Sequence, residues 1–342
     1  MRSLSVGSRA AGLTGALLVA VLGAWLGAAQ SRSLRLFSTP WPPFTNEVGQ
    51  PRFALDLVEA ALARFNQAST TTIVPPGQFT TTLLGGDYDG SGAAWRDAER
   101  EKVLLYSDPY LENRLVLVGR KGSDVSATSL ASLAGRRVAL VDGYSYGPEV
   151  ENSGPAFVRA SSEEDCLAKL LGGQVDYVLM DDLVVQYITV NHAREAETKL
   201  QLGTRPLVKR PLYLVLRRAY PDAQGIIDRF NAQLRGMIAD RTYHRLLHVE
   251  WIQADVDGDG LFEYIPENDT KAVTEPKRAY SIFSEDQPKS PTTPVAESTQ
   301  PRFYMGGNIY RDWASVPANY KAAGNMPPPP SRATASIFRF AW

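Results

Sequence analysis

The stretch Glu163-Glu164-Asp165-Cys166-Leu167-Ala168-Lys169-Leu170-Leu171-Gly172-Gly173-Gln174-Val175-Asp176-Tyr177-Val178-Leu179-Met180-Asp181-Asp182 decides the architecture. Its first half places Cys166, Leu167, Leu170 and Leu171 at helical spacing, and Gly172-Gly173 ends the pattern. A short apolar run, Val175 to Met180, then reads as a buried strand that ends at two aspartates. Helix, glycine stop and buried strand in close succession are the unit of a layered α/β fold.

The same alternation extends outward in both directions. Leu34-Arg35-Leu36-Phe37 reads as a strand, and Phe53 to Phe65 as an amphipathic helix with Leu55, Val58, Ala61, Leu62 and Phe65 on one stripe. Leu115 to Val118, Val138 to Val141 and Leu212 to Leu216 read as further strands, and Ile226 to Leu247 as one long helix. The pattern predicts α/β layers with largely parallel sheets. Cys166, the single cysteine, rules out an internal disulfide and reads as a small buried apolar group.

The chain has 342 residues, 44% of them hydrophobic, with a formal net charge of -1. That length suggests two or three folding units, and the absence of a basic surplus argues against a nucleic-acid partner. Residues 1–29 read as a signal peptide. Arg2 and Arg9 supply the positive start, Leu13 to Leu26 the apolar centre and Gly27-Ala28-Ala29 the small residues for cleavage. Removing it takes the net charge from -1 to -3, which predicts a mildly acidic, soluble periplasmic protein.

Six further segments occur in a telling order. They are Trp41-Pro42-Pro43-Phe44, Phe53-Ala54-Leu55-Asp56-Leu57, Gly86-Asp87-Tyr88-Asp89-Gly90, Arg100 with Ser107-Asp108-Pro109-Tyr110, Leu133 to Val138, and Gly173-Gln174-Val175-Asp176 running into Asp181. In this order the chain from about 33 to 248 resembles bacterial extracellular solute-binding proteins, family 3, which serve amino-acid-type ABC transporters. The resemblance implies a two-lobed periplasmic-binding-protein-like fold of type II. Residues 31–119 and 212–250 would form lobe 1 and residues 120–211 lobe 2. Two hinge crossovers would join them, and a small polar solute would bind between. It also implies an inner-membrane ABC permease or a sensor as partner and a monomeric binding protein, not an enzyme.

Carried onto this sequence, the resemblance makes Arg100 the carboxylate-binding arginine and Asp181 the ammonium-binding aspartate. An arginine fork suits a carboxylate because it donates two parallel charge-assisted bonds. Tyr144 and Ser145, after the Val138–Val141 strand and at what reads as a helix start, offer backbone N–H groups and a hydroxyl. Trp41, Phe44 and Tyr110 would wall the cleft. The sequence departs from the family where a small hydroxyl residue usually precedes the arginine: Trp95 and Asp97 stand there. Arg52 replaces the usual glycine before the helix aromatic. Trp95 would stack on or occlude the solute, and Asp97 would repel a second carboxylate.

Two other readings stay open. Gly143-Tyr144-Ser145-Tyr146-Gly147 fits the nucleophile-elbow pattern, with Asp181 or Asp182 and His244 or His248 following in hydrolase order. A dehydratase on the same scaffold would use a cleft carboxyl such as Asp97. An accessory interaction protein with a degenerate cleft is the other alternative.

Beyond Val249 the character changes. Residues 251–270 hold an acidic loop in which Asp255, Asp257 and Asp259 occupy positions 1, 3 and 5 of a calcium-loop pattern. Gly260 would make the turn, Leu261 would offer its carbonyl, and Glu263, or Glu267 just beyond, would stand in for the missing bidentate glutamate. A structural Ca2+ is expected there. Residues 271–342 form a Pro- and aromatic-rich C-terminal extension. It holds a polar linker from Ser284 to Pro301 and a short polyproline segment from Pro327 to Pro330, and its aromatics Phe303, Tyr304, Tyr310, Trp313, Tyr320, Phe338, Phe340 and Trp342 would bury against the clamp or meet a partner.

Overall fold

A computed structural model describes residues 32–247, 249–257, 259, 261–276, 280–281 and 302–322. The expected leader, His248, Gly258 and Gly260 lie outside the described residues, as do the Ser284 to Pro301 linker, Pro327 to Pro330 and the aromatics Phe338, Phe340 and Trp342.

The first half is built from β1 (Leu34–Ser38), α1 (Phe53–Ala63), β2 (Ser69–Ile73), α2 (Phe79–Gly85), β3 (Gly90–Trp95) and β4 (Leu104–Tyr106). Strand β5 (Leu111–Arg120) leads out of it. The second half follows as β6 (Arg137–Val141), α3 (Pro148–Glu151), β7 (Ala156–Ala160), α4 (Glu163–Leu171), β8 (Tyr177–Asp181), α5 (Asp182–Asn191) and α6 (Ala193–Lys199). Strand β9 (Leu200–Arg217) returns to the first half, where α7 (Ala223–Ala239) and α8 (Thr242–Leu247) pack on α1.

One nine-stranded sheet runs through both halves in the order β2-β1-β3-β9-β5-β8-β6-β7, with β4 also paired to β9. Pairing is parallel inside each half, β1 with β2 and β3, and β6 with β7 and β8. The middle is antiparallel, because β5 leaves one half and β9 comes back beside it. The expected lobe boundaries at 119/120 and 211/212 therefore fall on two long strands that both halves share.

Local chemistry explains the elements. Ser162 caps α4 by accepting from the Asp165 N–H at 3.2 Å, and three acids in its first turn complement the helix dipole. Gly173, at φ +72, lets the chain turn off α4 into β8. Gly90 is required for another reason: a Cβ there would lie 1.9 Å from the Val215 carbonyl on β9.

Two sequence expectations are corrected. The strand expected over Leu212–Leu216 is the end of an 18-residue strand, β9. Pro206 and Pro211 hid the rest, because proline removes a ladder donor and argues against a central strand. The sheet accommodates Pro206, the partner of Val116, beside register shifts in the β5–β9 ladder. The helix expected over Ile226–Leu247 is two helices. Arg241 takes φ +65 between them, and Asp240 Oδ1 accepts from the Thr242 N–H at 3.0 Å to start α8.

After α8 the chain forms a second sheet from β10 (Trp251–Ala254), β11 (Glu263–Pro266), β12 (Tyr280–Ser281), β13 (Arg302–Met305) and β14 (Asn308–Tyr310), in the order β12-β10-β11-β13-β14. Trp251, Phe303, Met305 and Val316 are its buried cluster, with Tyr264, Trp313 and Tyr320 packed against it. Phe303, Tyr310, Trp313 and Tyr320 of the extension thus build a small core with Trp251, while Tyr304 packs against the main core. Phe303→Ala should lower the free energy of unfolding by about 3–5 kcal/mol in a urea titration; no change would show that this sheet adds nothing to the folded body.

Candidate functional site

A cleft opens between the two halves. The first half lines it with Ser38 at the end of β1 and Thr39 just past it, with Trp41, Phe79 and Arg100, and with Ala93, Ala94 and Trp95 of β3. The second half contributes Gly143, Tyr144 and Ser145 from the loop after β6, and Leu212 of β9 completes the wall. These groups sit where strands end, which is where open α/β sheets form crevices.

Arg100 begins a 3-10 turn and is 5% exposed. Its Nη2 donates to Thr80 Oγ1 at 2.8 Å, and its guanidinium lies 5.4 Å from the centre of the Phe79 ring. Among the described residues no carboxylate comes within ion-pair distance of it. Burial lowers its pKa, opposed by Asp97 and Tyr106 and reinforced by Arg210; an arginine remains a cation through such a shift. A desolvated guanidinium without a counter-ion facing an open cleft is a site for an anion.

Aromatic residues form a cage at the same cleft, with the Arg210 guanidinium 5.7 Å over the Trp95 ring. Trp95 meets Trp41, Tyr144 and Tyr146 edge-to-face at centroid distances of 5.6, 5.6 and 5.3 Å. Trp95 Nε1 donates to Asn113 Oδ1 at 2.8 Å, and Asn113 Nδ2 donates to Asp181 Oδ2 at 3.0 Å. Asp181 also accepts from the backbone N–H groups of Arg114 at 3.0 Å and Leu183 at 2.8 Å. Burial, and then Asp182, push its carboxyl up, and these donors oppose the rise.

The structure therefore brings Trp41, Trp95, Arg100, Tyr144 and Ser145 together at the cleft and leaves four expected residues out of the lining. Asp181 is buried as the cap of α5 with its oxygens engaged. Phe44 is fully buried behind Trp41, 4.5 Å between ring centres. Asp97 turns its Oδ1 to the backbone N–H groups of Glu99 and Arg100. Tyr110 is likewise core, donating to the Gly92 carbonyl at 2.6 Å. Residues 143–147 do not open a long helix, since α3 is a single turn starting at Pro148.

Among the described residues, which leave out His248, the hydrolase constellation is not assembled. His244 is fully buried, and its Nε2 lies 3.0 Å from the Ile265 carbonyl. Burial lowers its pKa to about 4. No contact joins it to Ser145 among the described residues.

Three residues with no local motif also matter. Arg210, on β9, reaches both halves: Nη2 donates to the carbonyls of Ser145 at 2.6 Å and Arg96 at 3.1 Å, and Nη1 pairs with Glu149 at 2.7 Å. Asn113 joins the cage to Asp181. Glu163, the first residue of α4, is buried with Oε2 unpartnered. Burial pushes its carboxyl up to about 8; Glu164 and Asp181 add to the rise and Trp41 opposes it. The strand-end position of Ser38 and Thr39 was the one signal that could have found more of the lining.

In the acidic loop, oxygens of Asp255, Asp257 and Glu263 lie within 4.8 Å of one another. The Leu261 N–H donates to Asp259 Oδ1 at 2.8 Å. Arg302 of β13 enters the same cluster, Nη1 to Asp259 at 2.6 Å, Nε to Glu263 at 2.9 Å and Nη2 to Asp257 at 3.4 Å. Burial pushes Glu263 up to about 7.

The family model for bacterial extracellular solute-binding proteins, family 3, matches residues 36–254, which includes the cleft. The chain belongs to that family. This binding protein is 24% identical to ABC transporter arginine-binding protein 1 of Escherichia coli over 223 residues, 61% of this chain and 86% of the relative. It is 32% identical over 108 residues to virulence sensor protein BvgS of Bordetella bronchiseptica, covering 31% of this chain and 9% of the sensor. Two solved structures share the two-lobed fold. A crystal structure of ArgBP from T. maritima aligns with a TM-score of 0.53 at 24% identity, over 63% of this chain and 93% of that one. A histidine kinase sensor domain similar to periplasmic binding proteins aligns at 0.55 and 17%, over 64% and 96%. The family's binding proteins are extracellular, and among the described residues no helix is long and apolar enough to cross a membrane.

Glu163 sets a pH dependence for this binding protein. Its folded-state pKa lies above its ordinary value of 4.5, so its contribution to stability is full below pH 4.5 and is lost as pH rises to about 8. Glu163→Gln should remove a slope of roughly 3–5 kcal/mol across that window, read from urea melts at pH 4.5 and 8. Equal slopes in the two proteins would refute the assignment.

Proposed function

We propose that this protein captures a small polar solute of amino-acid size in the periplasm and hands it to an inner-membrane ABC permease or a sensor. The observation that carries the reading is Arg100, buried at the cleft with no carboxylate partner among the described residues. A solute carboxylate supplies the missing charge, the Ser145 loop closes over it from the other half, and hinge motion about β5 and β9 opens and closes the clamp. The arginine-binding relatives support the solute's size, and the sensor relatives support the second type of partner. The chain acts as a monomeric binding protein and not as an enzyme, with residues 1–29 removed on export.

Thermal-shift and calorimetric titration of a panel of amino acids and small carboxylates tests this. A true solute at ~100 times its Kd adds about 2.7 kcal/mol to stability. Arg100→Ala should weaken its binding by roughly 1.5–3 kcal/mol, the range for a charged hydrogen bond. A solute whose affinity ignores Arg100 would sink the reading.

We also propose that the acidic loop takes a structural Ca2+. Three carboxylates, Asp257, Asp259 and Glu263, meet one guanidinium, Arg302, and Asp255 offers an oxygen beside those of Asp257 and Glu263, so the loop gathers the oxygen ligands a divalent ion takes. Millimolar Ca2+ should raise the melting midpoint, and more so in Arg302→Ala, where nothing competes for the oxygens. Midpoints that ignore both Ca2+ and chelator in both proteins count against the ion.

A further inference from the structure

The cleft is electrostatically one-sided, and this narrows the solute class. Arg100 is the sole formally charged residue of its described lining. Arg210 lies 5.7 Å over the Trp95 ring with its charge shared with Glu149 at 2.7 Å, so the one guanidinium that faces the cleft without an ion-pair partner is Arg100. A zwitterion would need an anion here for its ammonium. The three nearby acids do not supply one: Asp97 is absent from the lining and turns its Oδ1 to the backbone N–H groups of Glu99 and Arg100. Asp181 spends its oxygens on Leu183, Arg114 and Asn113, and the Trp95 indole stands on the cleft side of Asn113. Glu163 is absent from the lining, and it holds its proton up to about pH 8.

The rest of the lining suits a flat apolar body. Trp41, Phe79, Trp95 and Tyr144 present rings, and Ala93 and Ala94 present methyl groups. The hydroxyls of Ser38, Thr39 and Ser145 are neutral and cannot offset an ammonium's lost hydration beside the Arg100 guanidinium. We propose that this cleft selects an organic monocarboxylate with a flat apolar body and no ammonium group. The inference rests on the solute-binding reading given above and specifies its ligand. Arg100 holds the carboxylate, the rings stack on the body, and the place an ammonium would occupy is closed by the Trp95–Asn113–Asp181 chain.

The test compares acids that differ only in the α-ammonium: propionate with L-alanine, phenylacetate with L-phenylglycine, and 3-phenylpropionate with L-phenylalanine. Each is titrated calorimetrically into the wild-type protein and Arg100→Ala. We expect a phenyl-bearing acid to bind at least tenfold tighter than its amino acid, about 1.4 kcal/mol, and to lose that binding in Arg100→Ala. An amino acid that binds as tightly as its partner, or more tightly, overturns the proposal; if that binding depends on Arg100, the clamp reading stands. Failure of all six, together with failure of the wider solute panel, removes both.

Discussion

The antiparallel ladder between β5 and β9 is the constraint on which the rest of the molecule depends. Two long strands cross between the halves side by side, and nearly every site feature is measured from them. Asn113 on β5 connects the aromatic cage to Asp181. Leu212 on β9 closes the cleft wall, and Arg210 on β9 holds the Ser145 loop against the first half. Because the strands are shared, the halves are joined by continuous backbone hydrogen bonding, and relative motion is confined to a twist or bend of two strands.

Charge in the site is sorted by how it is solvated. Asp181 is buried with three donors, so its burial is compensated internally and it serves as a cap. Arg100 is buried with one hydroxyl partner and one aromatic face, so its charge is left for something that enters from outside. Two residues of the sort a family comparison pairs as ligand groups therefore have unequal parts here. The difference arises from Trp95, whose indole occupies space and whose N–H engages Asn113.

The C-terminal sheet extends the body past the region matched to the family. Its strands are short, and its cluster of Trp251, Phe303, Met305 and Val316 supplies the burial that such strands need. Arg302 ties β13 to the acidic loop before β11 and to Glu263 within it, so the extension and the loop are held by one charge cluster.

Sequence alone determined the α/β layering, because apolar spacing and glycine stops are local signals. Helix α4 and its strand β8 were legible from Cys166 to Met180, and so were the strands at Leu34 and Val138. The ordered motifs from Trp41 to Asp181 pointed to the two-lobed family, and Trp95 and Asp97 before Arg100 were visible as departures from its pattern. Only the tertiary structure decided that β9 runs through two prolines, since that depends on bulges in a partner strand. It alone decided that Asp181 is spent as a cap, that Phe44 is core and that Arg210 spans the cleft. Each of these is a question of which donor, ring or charge meets which across long separations in the chain, and spacing along a sequence carries no such distances.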